Sequence, residues 1–180
     1  IYTVSRANID ELPAMADLVP KLGVDRFFIQ VIGIRGKSAQ QSAEESQQVP
    51  AGRWREEIPA AARAIAGRGI TVTYPKVFLD PGEPFECAGL VADNYFIFPN
   101  GRVYRCPLCE DFPLHSLAFV DNQLVPMPPL NESRFFTLSI PEGCVMNKLI
   151  QPDNLSYTAA GQPAHRVACC MLKEEISPEK

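Results

Sequence analysis

Cys87-Ala-Gly-Leu-Val-Ala-Asp-Asn-Tyr-Phe-Ile-Phe-Pro-Asn-Gly-Arg-Val-Tyr-Arg-Cys106-Pro-Leu-Cys109 is the stretch that decides the architecture of the second half of this chain. Residues 94–98 and 102–105 are β-rich runs, with Pro99-Asn100-Gly101 between them. Asn-Gly tolerates the positive φ angles of a tight turn, so the two runs are expected to form an antiparallel hairpin. Thirteen residues separate Cys87 from Gly101, four separate Gly101 from Cys106, and two separate Cys106 from Cys109. A hairpin whose second strand ends at Cys106 brings that thiolate back beside Cys87. Cys106-Pro107-Leu108-Cys109 then curls as a knuckle that aims two sulfurs at one point. Three thiolates converge, and one more would complete a four-sulfur cage suited to an iron–sulfur cluster or to tetrahedral zinc.

The fourth thiolate has three candidates, Cys144, Cys169 and Cys170. Cys144 is preferred. It lies in Pro141-Glu-Gly-Cys144, a turn whose Gly143 lets the backbone approach a cluster closely. Cys169 and Cys170 are adjacent and near a terminus expected to fray, where ordering a ligand costs more entropy. The blander reading, buried cysteines acting as small hydrophobes, is at least as good as ligation for Cys169 and Cys170 and weaker for Cys87, Cys106 and Cys109. Cys106 and Cys109 with His115 or His165 could alternatively make a zinc site, although His115 is expected to cap a loop.

Around this stretch the pattern is of short strands. Residues 117–120 and 124–125 flank Asp121-Asn122-Gln123 as a second hairpin, and a single helical turn is expected within residues 131–138. Asp80-Pro-Gly-Glu-Pro84 is a turn-rich linker, which divides the chain into 1–79 and 80–180. All six cysteines follow the linker. Clustering in one half argues for a local metal site in a reducing, cytoplasmic compartment rather than a secreted disulfide framework.

Before the linker the pattern changes to alternating strands and helices. Residues 1–4 form a β-rich run. Asn8, with Glu11 three residues on, resembles a capping box, and Leu12, Met15, Ala16, Val19 and Leu22 recur at helical spacing. Pro13 fits a first turn, Pro20 demands a kink or an early end, and Gly23 closes the helix. Residues 27–32 are continuously apolar, like a parallel strand buried on both faces. A polar loop over residues 38–48 follows. Trp54, Ile58, Ala61, Ala62 and Ile65 share the face of a second helix, and residues 70–74 form a third strand. This order predicts a parallel sheet with right-handed crossovers. Three strands are too few to close a barrel, so an incomplete α/β unit with an open edge or a borrowed strand is expected. Ile1 opens inside a strand, which points to a piece cut from a longer chain.

With 46% hydrophobic residues the chain can bury a core, and a net charge of −4 without a basic cluster excludes a nucleic-acid binder. No apolar run approaches a membrane span. There is no serine-hydrolase spacing, no phosphate-binding glycine loop and no defensible carboxylate pair, so no catalytic residue is assigned.

Cys87, Gly101 and Cys106, with the hairpin between them, resemble the opening of the SPASM and twitch domains that follow the barrel in many radical S-adenosylmethionine (SAM) enzymes. Pro113-Leu-His-Ser-Leu117 is similar to the segment leading to the second hairpin there, and Ser5-Arg-Ala-Asn8 with residues 22–36 resembles the last βα units of a radical SAM barrel. The resemblance covers most of the chain to about Cys144. It implies an α/β segment of an incomplete parallel barrel followed by a small α+β, cysteine-rich hairpin domain. It implies an auxiliary 4Fe-4S cluster on Cys87, Cys106, Cys109 and Cys144, with Ser5, Asn8 and Arg35 on the SAM side. The partner implied is an N-terminal barrel outside this chain, and the substrate a peptide or small metabolite. Two features depart from the family. The C-x3-C-x2-C motif that generates the radical is absent, so this chain alone would not cleave SAM. Only Cys144, Cys169 and Cys170 follow the knuckle, which favours one cluster, as in the twitch form. The alternative is a non-enzymatic, zinc-stabilised binding module.

Overall fold

The computed structural model describes residues 1–33, 46–80, 82–110, 114–169 and 171–178. Arg35, Pro113, Cys170 and most of the polar loop over residues 38–48, singled out above, lie outside them. The chain divides into two units, Ile1–Val77 with Leu172–Lys180, and Phe78–Met171. The divide falls at Val77, just before the turn-rich linker. The last residues return to the first unit.

In the first unit β1 (Tyr2–Val4), β2 (Arg26–Val31) and β3 (Thr71–Pro75) are parallel neighbours, with Phe27 opposite Val72. A fourth strand comes from the tail: β10 (Lys173–Ile176) pairs antiparallel with β3, Glu174 opposite Tyr74. The sheet runs β1-β2-β3-β10. The tail is therefore not frayed. It satisfies the backbone groups that β3 would otherwise expose, while β1 stays at the sheet edge.

α1 (Met15–Lys21) is preceded by a 3-10 segment, Ile9–Ala14, and α2 (Ala51–Ala66) packs on β3. α2 buries Trp54, Ile58, Ala61, Ala62 and Ile65 on one face, as its 3.6-residue period dictates. Three local expectations are corrected. Asn8 makes no capping bond. Its Oδ1 accepts the Ser5 N–H at 2.7 Å and its Nδ2 donates to the Thr3 carbonyl at 3.0 Å, so it fastens the end of β1. Pro20 is the penultimate residue of α1 rather than its last, so the early end expected there falls one residue later, at Lys21. β2 is not buried on both faces: only Ile29 is fully covered, while Lys173 Nζ sits 4.4 Å above the Phe28 ring.

The second unit is built from shorter pieces. β4 (Phe78–Leu79) pairs with β9 (Arg166–Val167). β5 (Phe96–Ile97), β6 (Arg102–Tyr104), β7 (Leu117–Val120) and β8 (Gln123–Pro126) form an antiparallel meander. Gly101 adopts φ +79 in the first hairpin, and Asp121 and Asn122 adopt φ 47 and 61 in the second. Two consecutive positive φ angles define the turn whose twist suits a two-residue hairpin loop. Three short helices complete the unit: α3 (Ala88–Val91), α4 (Ser133–Phe136) and α5 (Val145–Ile150). The core is aromatic and sulfur-rich: Tyr104, Leu108, Phe136 and Met146 surround Cys106, Cys109 and Cys144.

Among the described residues no helix is long and apolar enough to cross a membrane.

Candidate metal centre

Three of the cysteines occupy one kind of local position. Cys87, Cys106 and Cys144 each stand in extended conformation immediately before a helical turn, α3, the 3-10 turn Pro107–Cys109, and α5. The first amides of a helical turn have no partner within it and point back toward the preceding side chain. Here they meet sulfur. Asn147 N–H donates to Cys144 Sγ at 3.4 Å, the amides of Gly89 and Leu90 face Cys87, and that of Leu108 faces Cys106. Cys169 Sγ accepts the Met171 N–H, also at 3.4 Å. Amides directed at sulfur stabilise the thiolate, the form that binds metal.

Close backbone approaches bring these segments together. Gly143 (φ +98) bridges Val167, and a Cβ on it would stand 2.5 Å from the Val167 carbonyl oxygen. Cys144 N–H donates to that oxygen at 2.8 Å, while Val167 N–H donates to the Glu142 carbonyl at 2.8 Å. Cys144 is thereby held beside the strand leading to Cys169. Gly89 plays the matching part for Cys87, since a Cβ there would lie 2.7 Å from the Phe136 ring.

Cys87, Cys106, Cys144 and Cys169 line one cavity of about 20 Å³, walled by apolar side chains that include Phe85, Phe136, Met146 and Met171. Among the described residues neither these four cysteines nor Cys109 forms a disulfide. Burial pushes the Cys87 thiol up and the Cys144 thiol to about 12, and the other cysteines around the cavity add to both. Cys109 is placed differently. It does not line the cavity. Its S–H donates to Cys106, which lowers Cys106 and raises Cys109, and it is also directed at Glu132.

Glu132 has no counterpart in the sequence reading. Its carboxylate is fully buried and accepts from Arg105 N–H at 2.7 Å, Ser116 Oγ at 2.7 Å and Cys106 N–H at 3.3 Å. It thus fastens the knuckle to the strand before it and to the approach to β7. A charged residue within Asn131-Glu-Ser133 carries no periodic signal, and only its backbone partners reveal its place.

The two histidines lie outside the cavity lining. His165 Nε2 is 2.9 Å from the Asn154 carbonyl, its Nδ1 is 3.4 Å from Ser156 Oγ, and its ring meets Phe78 edge-on. His115 packs beside Tyr104, and its buried Nδ1 has no hydrogen-bond partner among the described residues, so the expected loop cap is not formed by that atom. The Cys/His zinc set is thus not assembled around the cavity. Ser5 and Asn8 stand together at the end of β1, with Ser5 Oγ 3.3 Å from Asn8 Oδ1.

The donor chemistry fits a thiolate-bound metal group, and the small volume sets a condition on it. Among the described residues no three His, Cys, Asp or Glu side chains are close enough to hold a metal ion as they stand. Four thiolates around one zinc would be about 3.8 Å apart, given Zn–S bonds of about 2.3 Å. The sulfurs surround a space rather than meeting at a point. A larger guest requires side chains to move aside, and Met146 and Met171, unbranched and adaptable, are the lining residues best able to do so. No protein family, no curated protein and no solved structure matches this chain.

Proposed function

We propose that the second unit holds an iron–sulfur cluster of the 4Fe-4S type on Cys87, Cys106, Cys144 and Cys169, and that the chain is the C-terminal part of a radical SAM enzyme. The observation that carries this reading is the convergence of four thiols from four separate segments on one apolar cavity, each sulfur facing a backbone amide. Such a cluster, with each iron held by a thiolate, would supply electron transfer or support the binding of substrate beside it. Cys109 then serves as a support, holding Cys106 from behind together with Glu132. The expected SAM side, Ser5, Asn8 and Arg35, belongs to the first unit in this reading, with the radical-generating cluster on a barrel segment upstream. The substrate class in this reading is a peptide or small metabolite, and the compartment is the cytoplasm. The competing reading is a zinc-stabilised binding module, for which four thiols are an equally familiar set.

Anaerobic reconstitution with iron and sulfide separates these readings. The expected result is a brown protein with thiolate-to-iron absorption. Iron is lost in Cys87→Ala, Cys106→Ala, Cys144→Ala and Cys169→Ala and retained in Cys109→Ala. A colourless protein that takes up one zinc and no iron establishes the zinc module. Retention of full iron by Cys169→Ala with loss in Cys109→Ala returns the fourth position to the knuckle.

A further inference from the structure

A second cavity, about 250 Å³, also has Cys87 in its lining. It shares Phe85, Cys87, Phe136 and Leu138 with the thiol cavity, so these residues form a common wall. Leu90, Val91 and Leu138 are 48%, 64% and 53% exposed along it, an apolar surface left to solvent. Apolar side chains exposed around a concave surface mark binding sites more often than chance placement does. The cleft also carries one charge of each sign, Glu86 and Arg166, and the hydroxyls of Thr137 and Ser139. Arg166 is fixed in β9 opposite Leu79 and gives one Nη1–H to the Glu83 carbonyl at 3.0 Å. A guanidinium has five N–H donors, so the rest of its planar fork remains suited to a carboxylate.

We propose that this cleft binds a free apolar α-amino acid, with its carboxylate on Arg166, its ammonium on Glu86 and its side chain along Leu90, Val91 and Leu138. The volume lies just below the range of about 300–1,000 Å³ usual for drug-sized ligands, which suits a guest of one residue. Two opposite charges at the rim of an apolar wall complement a zwitterion with an apolar side chain. They match neither a phosphate, which would meet the repulsion of Glu86, nor a purely apolar guest, which would leave both charges unanswered. The bound residue would lie against Cys87. The proposal concerns the cleft alone and stands whether or not a metal group fills the thiol cavity.

The test titrates the full 180-residue chain, reduced, with L-leucine, L-leucinamide and N-acetyl-L-leucine, followed by amide chemical shifts. L-Leucine is expected to shift residues 85–91 and 136–143. Leucinamide, lacking the carboxylate, and N-acetyl-leucine, lacking the ammonium, should each bind about tenfold or more weaker, as sites built to pair a charged group reject analogues without it. Arg166→Met should abolish the preference for acid over amide and keep the preference for free amine. Glu86→Gln should do the reverse. Glu86 is exposed, so its variant reads the ammonium half even if loss of the Glu83 contact unfolds Arg166→Met. Absence of shifts with L-leucine, equal binding of all three probes, or either variant retaining the preference it should lose overturns the proposal. A leucine-ended tripeptide, free at one terminus and blocked at the other, presents only one of the two charges and should bind no better than the analogue lacking the same charge; tighter binding than L-leucine overturns the proposal.

Discussion

The two units reach a folded core by different routes. The first uses elements long enough to express a period. α2 alone runs 16 residues and buries Trp54, Ile58 and Ile65 together, against a sheet whose inner positions include Val4, Ile29 and Val72. The second uses strands of two to four residues and helices of four to six. Elements that short cannot bury a continuous apolar stripe. Their core contains thiols, the carboxylate of Glu132 and the amides of Asn147 and Asn154. Buried polar groups of this kind demand partners. The contrast teaches that apolar burial suffices for the first unit, whereas the second is arranged around groups whose chemistry points to an additional centre.

Metal removal is the largest expected test of that contrast. Where a metal site forms only in the folded state, its binding free energy is folding free energy, about 10 kcal/mol or more in small zinc domains. Chelation of the reconstituted protein should collapse hydrogen-exchange protection across residues 78–171 and leave β2, β3 and α2 protected. Equal loss in both units, or none in either, would break the comparison.

Truncating the periodic core comes next. Ile58 is fully buried in α2, so Ile58→Ala should cost the first unit about 2–5 kcal/mol through lost burial and the cavity left behind. Denaturant melts should show this loss in the first unit while metal content stays unchanged. A matched pair of glycines sharpens the point at smaller scale. Gly143 has φ +98 and no room for a Cβ, whereas Gly69 has φ +88 and nothing within 4 Å. Gly143→Ala should cost about 3 kcal/mol or more from clash and strain together, and reduce metal uptake. Gly69→Ala should cost about 1 kcal/mol from backbone strain alone. Similar losses for the two substitutions would show that the approach of Gly143 to Val167 is not a constraint.

The smallest effect is alkaline. Burial, with the nearby Glu174 carboxylate, pushes Tyr74 up to about 12. An unfolded tyrosine ionises near pH 10. Below that value both states hold the proton and the stability is full. As pH rises from about 10 to 12 the unfolded state loses its proton first, so stability falls across that window. Tyr74→Phe should flatten the decline in a pH series of melts.

Much of the framework was legible residue by residue. The face of α2 followed from Trp54, Ile58, Ala61, Ala62 and Ile65, and both hairpins followed from Asn100-Gly101 and Asp121-Asn122, because these signals act within one turn of chain. What failed were readings that needed knowledge of distant partners. Asn8 looked like a helix cap, yet the end of its own strand offered better hydrogen-bond partners. The terminal residues looked frayed until β3 gave Lys173–Ile176 a strand to pair with. Glu132 was not singled out at all, because nothing in its neighbours announces the amides of Arg105 and Cys106.

By itself the sequence determined the local geometry: the turns, the amphipathic helix, and the hairpin that leads into Cys106, whereas Cys87 stands before α3, nine residues ahead of the first hairpin strand. These depend on φ preferences and on side-chain periods, which are properties of neighbouring residues. The tertiary structure alone decided which thiols face one another. Cys169 joins the cavity because Gly143 permits the backbone before Cys144 to press against Val167. Cys109 stands outside its lining, with its thiol directed at Cys106 and the buried Glu132. The contacts of Gly143 with Val167 and of Cys109 with Glu132 join segments more than twenty residues apart in the chain, and the local preferences of a residue carry no information about such a partner.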